Sequence, residues 1–134
     1  MMMAVMLIVP PDEIALVEVA KVKRGVRLDW RDALEESVAI WDGDVLADVL
    51  GLIERLPASD LTRCFVPGFA IRVHDQSVAR AEVLFCFKCD MALMIDLIDP
   101  RRDWGATFDS ESEPAQELLS RFRSCTADAA GFPT

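Results

Sequence analysis

Cys86-Phe87-Lys88-Cys89, with Cys64 ahead of it, are the residues of this chain best equipped for chemistry. A CxxC pair can exchange disulfides, hold a metal or fill a core as small hydrophobes, and each use needs different surroundings. Thiol–disulfide exchange favours a first cysteine at a helix N-terminus within a βαβ unit, where the dipole stabilises thiolate. Here the residues on both sides read as strand. A zinc site would draw on Cys64, Cys86, Cys89 and Cys125, but a closed site needs four convergent ligands, and the second close pair usual in zinc ribbons is missing. The favoured reading is structural: buried, reduced thiols and no cofactor, with a thiol or zinc protein as the alternative.

His74 is the only histidine and falls in a turn, where a general base would lack a convergent cleft. No Ser-His-Asp order, HExxH, P-loop or GxGxxG occurs. These features lean towards a non-enzymatic protein.

The 134 residues suit one domain that can bury a core without staples. They are 52% hydrophobic and 28% charged, unlike a disordered chain. With 14 Lys and Arg against 23 Asp and Glu, the net charge of -9 repels phosphate backbones and anionic membranes. Nucleic acid and membrane are therefore excluded as partners, and a basic protein fits. The apolar run Met1 to Val9 has no basic flank, is shorter than the ~20 residues that span a bilayer, and stops at Pro10-Pro11. It reads as an N-terminal arm or strand of a cytoplasmic protein, whose thiols would stay reduced.

The elements that must position the cysteines follow from periodicity. Ile14 to Lys23 is β-branched and ends at Arg24-Gly25, so it predicts a strand, with Gly25 to Trp30 returning as its partner. The stretch through Glu35 and Glu36 has no legible state. Leu46, Val49, Leu50, Ile53 and Leu56 share one face of a helix over about 44–56, stopped by Pro57. A hairpin spans Cys64 to Phe87 around His74-Asp75-Gln76-Ser77. Met91 to Ile98 and Trp104 to Phe108 read as strands, separated by a polar turn at Pro100-Arg101-Arg102-Asp103. A second helix covers about 112–124, capped by Ser112 and burying Leu118, Leu119 and Phe122. Residues 128–134 should fray. The expected fold is α+β: one antiparallel sheet of four to six strands with two helices packed on it.

Alternation fixes the hairpin register. Phe69, Ile71 and Val73 must face the same way as Ala81, Val83 and Phe85, so paired residue numbers sum to an even value. In that register Cys64 and Cys86 share a face and Cys89 points away. Their sulfurs should touch while reduced, Cys125 should lie apart, and Cys64→Ala should act through lost packing. Pro67-Gly68 invites a bulge that would shift this parity. Arg72 and Arg80, with Lys88, decorate the opposite face, which also carries Val66 and Leu84 and so invites a cover. Interface candidates are Trp30, Trp41, Arg72, Arg80 and Trp104.

Arg63 to Arg72, then Leu84 to Cys89, then Thr107-Phe108-Asp109 ahead of the last helix resemble a group of small uncharacterised bacterial proteins with a Cys…CFxC hairpin. The likeness runs from near Trp41 to Arg123. This chain has Asp90 where the group often has Asn. The resemblance implies a bacterial cytosolic α+β domain. Together these features point to an acidic binding protein, such as an immunity-type inhibitor or accessory partner of a basic protein, with a homodimer allowed. Small-molecule sequestration between sheet and helices is the other alternative.

Overall fold

The computed structural model describes residues 5–25, 29–60 and 64–130, with side chains described as far as 125. Six strands form a single antiparallel sheet: β1 (Leu16–Val22), β2 (Leu34–Trp41), β3 (Phe69–His74), β4 (Ala79–Cys86), β5 (Met91–Asp96) and β6 (Trp104–Thr107). Their order is β2-β1-β3-β4-β5-β6. Helices α1 (Gly43–Glu54) and α2 (Glu113–Ala130) complete the α+β arrangement expected from the sequence. Among the described residues no helix is long and apolar enough to cross a membrane.

The even register is present: Phe69 pairs with Phe85, Ile71 with Val83 and Val73 with Ala81. That parity sends Val17, Val19, Ile71, Val73, Val83, Phe85, Ala92 and Met94 to one face. The apolar stripes of both helices cover them, with Leu46, Val49, Ile53, Leu118 and Phe122 among the contributors. Each fully buried side chain of this size stabilises the fold by about 1.5–3 kcal/mol. Ser112 opens α2 as expected, its hydroxyl accepting from the Ala115 N–H at 3.4 Å. The helix then runs to Ala130, past the expected onset of fraying at 128. Residues 131–134 lie outside the described residues, as do residues 1–4 of the N-terminal arm. Val5 and Val9 of that arm are buried in the helix-side core without forming a strand.

One expectation fails near the N-terminus. The partner of β1 is Leu34–Trp41, not Gly25 to Trp30, whose residues 26–28 lie outside the described residues. Glu35 and Glu36, illegible in the sequence, sit in this outer strand, where exposure erases the apolar alternation.

Residues 29–33 instead form a strap on the second face of the sheet. Gly25, at φ 119°, turns the chain away from β1 in a conformation that side chains rarely adopt. The Lys23 N–H donates to the Ala33 carbonyl at 2.8 Å and closes the base of the excursion. Arg31 reaches the end of β5, donating to the Asp96 carbonyl at 3.4 Å and to the Asp103 carboxylate at 2.5 Å. Beneath the strap lies a smaller core of Ala20, Val22, Ala33, Leu34, Ala70, Leu84 and Ile95, with Trp30 and Phe65 packed against it. The chain's own strap thus covers part of the face on which Leu84 was expected.

Candidate functional site

The cysteines are not arranged as the alternation implied. Cys64 is disulfide-bonded to Cys89, with Cα atoms 5.7 Å apart, whereas Cys86 and Cys125 are not disulfide-bonded. The reason is local. Ladder pairing starts only at Phe69, because Pro67 cannot donate to it, so strand parity never reaches Cys64. After Cys86 the chain turns through Phe87–Asp90, and Asp90 takes up φ 56°. Asp is among the few non-glycine residues that tolerate that left-handed conformation. The Asp90 carbonyl accepts from the Phe108 N–H at 3.0 Å and its carboxylate from the Ser110 N–H at 3.2 Å, tying the turn to the approach to α2. Cys89 is thereby carried round to Cys64. Cys86 stays on the strand, 1% exposed, and its sulfur accepts from the Val66 N–H at 3.4 Å. Contact between reduced Cys64 and Cys86 is therefore replaced by a covalent Cys64–Cys89 link, and Cys64→Ala would remove a cross-link rather than packing alone.

With Cys64 and Cys89 bonded to each other, the proposed set of four thiolates is not assembled. Among the described residues no group of three or more His, Cys, Asp or Glu side chains could hold a metal ion. Cys125 is half-buried against the helix-side core.

The other singled-out residues are placed as follows. Trp41 is buried and tilts against Phe122 at 5.3 Å between ring centroids. Trp104 packs on the helix-side core. Trp30 meets Phe65 edge-on at 5.2 Å. Arg72 lies in a row across three strands, opposite Glu18 on β1 and Glu82 on β4. Its Nε donates to Glu82 Oε2 at 2.9 Å, and its Nη1 is 3.6 Å from Glu18 Oε1. His74 is not an exposed turn residue. It ends β3, half-buried, and pairs through Nε2 with the Glu18 carboxylate. Arg80 bonds Asp75 at 3.1 Å. Asp75 also accepts from the backbone N–H groups of Val78 and Ser77, and these bonds, with Arg80, hold its carboxyl down at about 2. Both arginines are thus occupied within the fold.

What the sequence did not reveal is a cleft of 790 Å³ at the end of the sheet where β1 finishes and β3 begins. It adjoins the disulfide, since Phe65 to Gly68 follow Cys64 and Phe87 and Lys88 precede Cys89. Phe69, Phe85, Phe87 and Leu119 form an apolar wall on the helix side, and Val22, Trp30 and Phe65 line the strap side. Phe122 backs the helix-side wall, stacked on Phe69 at 5.1 Å and tilted on Phe85 at 5.6 Å. Lys21, Lys23, Arg24, Lys88 and Arg123 also line the cleft, against a single carboxylate among the described residues, Glu35. In a chain with 23 acidic and 14 basic side chains, that is a local inversion of charge. The run Lys21-Val22-Lys23-Arg24 was the one sequence signal for it. Such a site can hold an apolar body while cations attract an anionic group.

Compared with family models, curated proteins and solved structures, the chain matches none.

Proposed function

We propose that this chain is a non-catalytic binding protein whose cleft takes a small ligand with an anionic head and an apolar or aromatic body. The observation that carries this reading is the reversal of charge at an aromatic-walled cleft of 790 Å³, within the roughly 300–1,000 Å³ typical of ligand sites. The sheet end and α2 supply a rigid wall, so little ordering cost opposes binding there. Inhibition of a basic protein draws support from the net charge of -9 and from the exposed Glu35 and Glu36 of β2. Those features spread over a surface, whereas the cleft specifies a size, a polarity and a charge.

The test is titration with anilinonaphthalene sulfonate, an anionic aromatic probe, alongside a cationic aromatic dye of similar size. The anion should bind with an affinity that falls as salt rises, and Lys88→Glu or Arg24→Glu should each weaken it by about tenfold, or 1.4 kcal/mol. Equal binding of the cationic dye, or indifference to both reversals, would refute the reading.

A further inference from the structure

The disulfide joins the two lips of the cleft. Cys64 leads directly into Phe65, Val66, Pro67 and Gly68 on one lip, and Cys89 follows Phe87 and Lys88 on the other. The first lip is tied to the fold at its two ends. Phe65 packs edge-on against Trp30 at 5.2 Å, and Gly68 exchanges backbone bonds with its neighbours, its N–H donating to the Phe85 carbonyl and its carbonyl accepting from the Val22 N–H, both at 3.3 Å, while between them the Val66 N–H donates to the sulfur of Cys86 at 3.4 Å. Sulfur is a weak acceptor, so the last of these bonds contributes little. A six-stranded sheet with a core on each face has no need of a staple, and this cross-link sits beside the cleft rather than between core elements. Its two residues also differ in access, Cys64 being exposed and Cys89 only 1% exposed.

We propose that the Cys64–Cys89 disulfide is a reducible latch on the cleft, opened by a dithiol reductant that attacks the sulfur of Cys64, the exposed residue of the pair. The proposal rests on the cleft being the binding site. One thiolate of the reductant forms a bond to Cys64 Sγ as the Cys64–Cys89 bond breaks, and Cys89 leaves as a thiolate and takes up a proton. The reductant's second thiolate then attacks its own sulfur in the mixed disulfide, releasing Cys64, which is protonated in turn. The reductant ends as an internal disulfide, and two electrons and two protons have passed to the protein. With the bond open, the lip from Cys64 to Gly68 keeps its contact with Trp30 and the backbone bonds of Gly68 but loses its covalent link to the turn that carries Phe87 and Lys88. Ligand is held in the oxidised state and released in the reduced one.

The experiment compares the full chain oxidised and after treatment with dithiothreitol. Thiol titration should give two reactive groups when the oxidised protein is unfolded, Cys86 and Cys125, and four after reduction. Hydrogen exchange at the Val66 and Gly68 amides should then accelerate by about tenfold or more, while Ile71 and Val83 in the sheet keep their protection. The affinity for anilinonaphthalene sulfonate should fall by a similar factor, and Cys64→Ser should reproduce the reduced state. Unchanged exchange at Val66 and Gly68 overturns the latch, and so does loss of protection throughout the sheet, which would make the bond a staple. If the probe binds neither form while exchange still follows redox state, the cleft reading fails and with it ligand release, and only the redox opening of the lip stands.

Discussion

The two faces of the sheet are built on different principles. On the helix face, aliphatic and aromatic side chains from every strand meet two amphipathic helices in one continuous core. The strap face has a small cluster under Trp30 and Phe65, beside a charged row of Glu18, Arg72 and Glu82. Burial holds the first face together. The second adds paired charges and a strap to its smaller cluster, and solvent conditions can alter the charges. The cleft and the disulfide beside it lie where the strap face meets the open end of the sheet.

The largest break in this contrast should come from Phe122→Ala. Phe122 is fully buried and contacts Trp41, Phe69, Phe85 and Phe87, so its truncation should cost about 3–5 kcal/mol in urea unfolding. A smaller effect is expected on the strap face. Glu82 is 4% exposed, and Glu82→Gln removes the charge facing Arg72 at a cost of about 1–3 kcal/mol. Adding Arg72→Met should recover part of the loss in a double-mutant cycle. If Glu82→Gln cost as much as Phe122→Ala, the two faces would be equally integral and the contrast would fail.

The smallest effect lies at the hairpin tip. The carboxyl of Asp75 is held down at about 2 by the N–H groups of Val78 and Ser77 and by Arg80. Its folded value lies below the unfolded one, so its contribution is complete above about pH 4 and is lost as pH falls through about 2. An NMR titration should show the Ser77 and Val78 amides shifting in that acid window, and Asp75→Asn should abolish the shift. A midpoint in the ordinary carboxylate range would show that the tip is not held by these bonds.

Much of this was legible in the sequence, for reasons specific to each element. Both helices announced themselves through an apolar stripe bounded by Pro57 or Ser112. The β3–β4 register followed from the alternation of Phe69, Ile71 and Val73. β2 was hidden because an outer strand with Glu35 and Glu36 exposed has no alternating face. The cysteine pairing was misread because alternation was extended back through Pro67, beyond the last backbone bonds to the neighbouring strands at Gly68. The cleft was illegible because Lys21, Phe65, Lys88 and Arg123 come from distant parts of the chain, and no local pattern links them.

The strand order also bears on how the chain reaches its fold. β3, β4, β5 and β6 follow one another both in sequence and in the sheet, so each pairing closes only a short loop. Joining β1 to β3, as in Val19 opposite Ile71, closes a loop containing all of β2 and α1. Loop closure costs about 0.6 kcal/mol more for each doubling of length, and nonlocal pairings slow folding. Connectivity therefore favours a C-terminal meander as the nucleus, with the N-terminal hairpin docking onto it later. The lining of the cleft is drawn from both halves, so the cleft is among the last features of the molecule to be completed.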